Sequence, residues 1–156
     1  MNLKQDYEKL KKKYNLPDYD KLDFEFELLY ITGIQEINFP LRYIRRRMCD
    51  KISWYIGHMQ SILQPNPSSI INMQESSFLA EDKDKITELI KELIRITSVS
   101  ILRELEYDEK EDAEFIKNNF KRWIDLKKEL IILNKKIINK WKEKIKEEKS
   151  KEKYIG

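Results

Sequence analysis

The chain has 156 residues, 40% hydrophobic and 38% charged, against a usual charged share of about 25%; this implies one domain with a modest core and a large solvated surface. Three glycines and four prolines supply too little turn chemistry for a β-sandwich, a barrel or a Rossmann-type sheet, while the single Cys49 and single His58 exclude an internal disulfide framework, a cysteine zinc site and a multi-histidine centre. The net charge of +3 hides a division: residues 1–74 carry 11 basic and 9 acidic side chains, residues 75–114 carry 6 and 13, and residues 115–156 carry 14 and 6, so an acidic middle is set against a basic end.

No apolar run of about 18 residues occurs, so no transmembrane helix is expected. The opening MNLKQDYEKLKKKY is charged and amphipathic, without the apolar region of a secretory signal. The expectation is a soluble, cytoplasmic, helical protein with no membrane association.

Leu3, Tyr7, Leu10 and Tyr14 recur at helical spacing, and Pro17 marks the break that follows. Residues 19–29 form an acidic segment in which Asp23, Glu25 and Glu27 alternate with Phe24, Phe26 and Leu28. A lone strand has no partner in this chain, so the segment is expected to be a short helix, capped by Asp18 or Asp20, running into a linker. Pro40 suits the first turn of a helix, and Leu41, Ile44, Met48, Ile52, Tyr55, Met59 and Ile62 follow at steps of three and four. This helix is expected to end before Pro65, with Gly57 marking a close helix crossing. One further turn is expected over residues 70–74.

Residues 81–105 predict the next helix. Its first half is amphipathic through Ile86, Leu89, Ile90 and Leu93. Its second half, with Ile94, Ile96, Val99, Ile101, Leu102 and Leu105, is apolar nearly all round, the pattern of a helix buried on every side. Asp108 with Glu111 forms a capping box for the last helix, which runs to about residue 149 without Gly or Pro through Ile116, Phe120, Trp123, Leu126, Leu130, Leu133, Ile137, Trp141 and Ile145. Such a helix would span about 63 Å, against a diameter of about 40 Å for a compact chain of this length. It should overhang the bundle by roughly 15 residues.

The expected architecture is therefore all-α: an antiparallel bundle of three main helices, short N-terminal helices and a long, partly projecting C-terminal helix. Residues 1–133 form the core, and residues 134–156 are a lysine-rich extension of the last helix within the same domain. The overhanging stripe of Ile137, Ile138, Trp141 and Ile145 needs cover. Either the first helix supplies it through Leu3, Tyr7 and Leu10, or another chain does.

Two basic clusters are candidate anion sites. Arg42, Arg45, Arg46 and Arg47 can grip phosphates or carboxylates bidentately, or else decorate a solvated face and pair with Glu36, Asp50 or the acidic middle. Lys135, Lys136 and Lys140, with the lysines beyond them, can follow a nucleic-acid backbone, or else form ordinary i,i+3 and i,i+4 helix pairs. His58, four residues after Trp54, is expected to pack rather than catalyse. The acids of residues 108–114 are expected to complement a helix N-terminus rather than hold a metal, and Cys49 to be a buried, inert thiol. No phosphate loop, nucleophile elbow or zinc spacing occurs, and no cofactor or metal is expected. No family is recognised in these motifs. The expected function is that of a non-enzymatic interaction or scaffold protein that packs helix on helix, as a homo-oligomer or a subunit of a larger assembly. The alternative is a nucleic-acid or ribonucleoprotein-binding module using the two basic clusters.

Overall fold

A computed structural model describes residues 3–28, 37–63 and 80–152, excluding the side chains of residues 80, 81, 141, 144 and 147–152. These residues form five helices: α1 (Leu3–Tyr14), α2 (Tyr19–Phe26), α3 (Pro40–Leu63), α4 (Ala80–Leu105) and α5 (Glu109–Glu152). No strand occurs among the described residues. The turn expected over residues 70–74 and the break at Pro65 lie outside them.

Local chemistry sets the helix ends. Asn15 takes the left-handed conformation, with φ of 53°, and the following Leu16 N–H bonds back to the Lys11 carbonyl at 3.2 Å. That pair of features is a Schellman stop, which satisfies a carbonyl of the last turn; Pro17 then prevents continuation. Glu27 ends α2 in the same left-handed region and donates its N–H to the Asp23 carbonyl at 2.7 Å. Asp18 occupies the N-cap position of α2 but makes no side-chain cap bond. Its carboxylate instead accepts from Lys11 at 2.7 Å. Asp108 caps α5, accepting the Glu111 N–H at 2.9 Å. Glu111 turns outward to Arg103, at 2.5 Å.

Helices α3 and α4 make the main pair, and α5 lies across both. The core is one cluster, drawn from Leu41, Ile44, Met48, Ile52 and Met59 of α3, Ile86, Leu93 and Ile96 of α4, and Ile116, Trp123, Leu130 and Ile137 of α5. Trp123 is its largest fully buried side chain. Its ring lies 5.6 Å from Phe26 and 5.4 Å from Tyr55, and its indole N–H donates to Glu25 at 2.9 Å. A buried tryptophan needs such a partner for its one polar atom. Lys127 holds Glu25 from the other side at 2.7 Å.

Three expectations are corrected by this packing. First, α1 does not cover the far end of α5. Lys13 and Tyr14 bond to Glu109, at 3.0 and 2.8 Å, and Glu109 is the first residue of α5. Ile137 lies about 42 Å further along the helix. Leu3 and Tyr7 are buried and Leu10 packs against the core, so these three residues pack within the bundle. Second, the last part of α4 is buried on one side only. Ile96 and Ser100 face inward, while Ile101, Leu102 and Leu105 are exposed, because among the described residues no element lies over the outer side of α4. Third, Gly57 marks no close crossing. It is exposed, and a Cβ added there would meet nothing within 4 Å.

Helix α5 is continuous for 44 residues, about 66 Å. Among the described side chains of α5, Ile137 is the last that is buried; Ile138, Lys142, Glu143, Ile145 and Lys146 beyond it are exposed. No described helix is long and apolar enough to cross a membrane.

Candidate functional site

The arginine cluster turns inward. Arg45, expected on an outer face, is completely buried and uses its whole guanidinium fork: Nε to Asp112 at 2.7 Å, Nη1 to the Ser100 carbonyl at 2.8 Å and hydroxyl at 2.6 Å, and Nη2 to Glu104 at 2.5 Å. Arg46 takes both oxygens of Glu104, at 2.9 and 2.5 Å. Arg42 donates to the Glu104 carbonyl at 3.3 Å and lies over the Tyr107 ring, 4.7 Å from its centroid. Arg47 reaches Asp50 and the Glu27 carbonyl, both at 3.4 Å.

Three guanidinium groups thus share Glu104 and Asp112. The Arg46 bond, reinforced by Arg45, pulls the Glu104 carboxyl down to about 2 against the opposing effect of burial. Asp112 shifts the other way, because burial outweighs its Arg45 partner and its Oδ2 has no hydrogen bond. Arg45 holds three elements together (α3, α4 and the start of α5) and is no free anion site.

The lysine end is partly neutralised in the same way. Asp82 is buried near the start of α4 and accepts from both Lys136 and Lys140, the latter at 3.1 Å. The Lys136 bond is the main cause of its lowered pKa. Of the three predicted lysines, Lys135 is exposed at a groove between α3 and α5, and Lys136, though bonded to Asp82, is exposed at one between α4 and α5.

His58 stacks on Trp54, with centroids 5.7 Å apart and planes 12° from parallel, and its Nε2 faces the Asn134 side-chain oxygen at 3.3 Å. The Ser61 hydroxyl donates to the His58 backbone carbonyl at 2.7 Å, and Asp50 is engaged with Arg47. No base, orienting carboxylate and nucleophile converge here. Cys49 is half-buried, and burial pushes its thiol up to about 11, away from the thiolate needed for reactivity. No group of metal-ligating side chains occurs among the described residues.

What α3 and α5 do form together is an apolar groove of about 340 Å³, lined by Trp54, His58, Leu130, Ile131, Lys135 and Ile138 among others. Trp54 is 63% exposed, Ile131 44% and Ile138 51%, too much for core positions. Beyond the groove on α5, Ile145 is 44% exposed. These isoleucines are one row: Ile124, Ile131, Ile138 and Ile145 repeat every seventh residue. A second row, Lys121, Lys128, Lys135 and Lys142, repeats with the same period and sits three positions earlier. Together they alternate lysine and isoleucine at steps of three and four, the spacing of one helix seam. A larger groove of about 590 Å³ lies between α4 and α5, but its rim mixes Lys85, Glu88, Glu92 and Glu129 with Arg122, which is bonded to Glu92.

Of the predicted interaction residues, Ile138 and Ile145 lie on the exposed row, Ile137 is buried, and the Trp141 side chain lies outside the described residues. The sequence reading missed Trp54 and Ile131. The signal for Ile131 was present in the lysine–isoleucine alternation, which runs beside the core stripe of the same helix. No protein-family model, curated protein or solved structure matches the chain.

Proposed function

We propose that this protein is a non-enzymatic interaction module that docks another helix against the exposed face of α5, as part of a larger assembly. One observation carries this reading: isoleucines 131, 138 and 145 stand exposed in a single row on a helix whose neighbouring stripe builds the core. Scattered exposed apolar residues are ordinary, whereas a continuous apolar row beside an aromatic wall is the form of a helix-in-groove site. The nucleic-acid alternative has less support, since Arg42, Arg45, Arg46, Lys136 and Lys140 are engaged with carboxylates of the same chain.

The test is the pair Ile138→Asp and Ile145→Asp. Both positions are exposed, so thermal unfolding is expected to stay within about 0.5 kcal/mol of the parent. Quantitative co-purification and light scattering should then show species present with the parent and lost from the variant. Identical recovered species and identical mass for the two proteins would overturn the proposal.

A further inference from the structure

We infer that the occupant of this face is an acidic amphipathic helix, seated along the groove and the alternating lysine–isoleucine rows; the inference rests on the interaction reading above and names the partner's chemistry. The rows present two kinds of surface at once. The isoleucines offer apolar area that is stabilised only when water leaves. Lysine stems can cover such area while their ammonium groups stay in water.

No carboxylate stands in either row or lines the groove. Asp125, beside the rows, pairs with Lys128 at 3.0 Å across a single turn, and both side chains are 69% exposed. Such a surface pair is readily exchanged for another. Lys127, on the groove wall, already holds Glu25. The uncompensated charge of the face is therefore positive, supplied by Lys121, Lys135 and Lys142, all exposed.

A second copy of this chain does not meet that requirement. Laid on the rows in either direction, it brings four more lysines to a seam without carboxylates, and like charges held together oppose association. A phosphate backbone would meet the lysines but leave the isoleucines and Trp54 in water. A helix with apolar side chains in one heptad row and Glu or Asp in the adjacent row satisfies both requirements.

The test uses two synthetic peptides of about 21 residues, three heptads, each labelled with fluorescein. One carries leucine in one row and glutamate in the next; its twin replaces every glutamate with lysine. Fluorescence anisotropy with the full chain is expected to show the glutamate peptide bound at least about tenfold more tightly than the twin, the gap narrowing between about 50 and 200 mM salt. Lys128→Glu with Lys135→Glu should reverse the preference, and Ile138→Asp with Ile145→Asp should abolish binding of the glutamate peptide.

Equal binding of the two peptides, lost on aspartate substitution, would overturn the acidic partner while leaving the docking face standing. A dimer seen by light scattering and abolished by Ile138→Asp would assign the face to a second copy and likewise overturn it. A labelled DNA duplex bound through Lys135, with the glutamate peptide unable to compete, would replace both readings. Absence of binding to either peptide overturns the inference; if the co-purification test is also unchanged, the interaction reading falls with it.

Discussion

The molecule has two cation-rich regions that look alike in one dimension and differ in three. Residues 42–47 hold four arginines, and the second half of α5 is dense in lysine. Arg42, Arg45 and Arg46 sit where α3 meets the end of α4 and the start of α5, within reach of Glu104 and Asp112, Arg47 turns to Asp50, and the fold consumes their charge internally. Among the described side chains, no carboxylate of α3 or α4 bonds to the lysine row of α5. A basic cluster is thus informative about partners only after the carboxylates that the topology brings to it have been subtracted.

The contrast breaks most directly at Arg45. Arg45→Ala leaves Asp112 buried and unpaired, and should cost about 3–5 kcal/mol by urea unfolding. The double change Arg45→Met with Asp112→Leu is expected to recover much of that loss, since a well-packed apolar pair often replaces a buried ion pair without penalty. A cost for Arg45→Ala below about 1 kcal/mol, the range of surface pairs, would mean the cluster is not the internal bolt described here.

Acid titration sharpens the same point with a smaller effect. Glu104 is held down to about 2 from an ordinary 4.5, so its contribution is present above the unfolded value and lost as pH falls from about 4.5 towards 2. Asp112, with its raised pKa, acts in the opposite sense, because the folded state takes up its proton more readily than the unfolded chain. Urea midpoints followed downward from pH 7 should therefore fall through the Glu104 window, and Glu104→Gln should flatten that limb. Gly57→Ala, at an exposed helical position with open space, should raise stability by about 0.5–1 kcal/mol. Smallest of all, Lys128→Glu with Lys135→Glu should change stability by no more than about 0.5 kcal/mol. A loss comparable to that of Arg45→Ala would erase the distinction between the two regions.

The helices were legible because their signals are local. Pro40, the Asp108 cap and the apolar steps of three and four each act within a turn or two, and all three mark what the fold contains. The overhang was legible because an uninterrupted helix has a fixed rise. The packing partner of each face was not, since periodicity gives the direction of a stripe on its own helix and not which neighbour meets it. Hence the spacing offers Leu3, Tyr7 and Leu10 as one cover for the far end of α5, whereas they pack within the bundle, and it places Ile101, Leu102 and Leu105 in a core that covers only one side of α4. Arg45 illustrates the same gap. Its position on α3 is one residue from Ile44 in the core stripe, but only the arrival of Asp112 and Glu104 from other elements makes its burial tolerable.

The unbroken run of α5 has a geometric consequence of its own. The rows repeat every seven residues, whereas an ideal helix needs slightly more than seven to complete two turns, so the seam slips by about 20° per repeat. From Ile124 to Ile145 the slip reaches about 60°. A straight rod laid on Ile124 would leave the seam before Ile145. Whatever follows it must wind around α5 with a left-handed twist, so the handedness of any complex is already written in the spacing of four isoleucines.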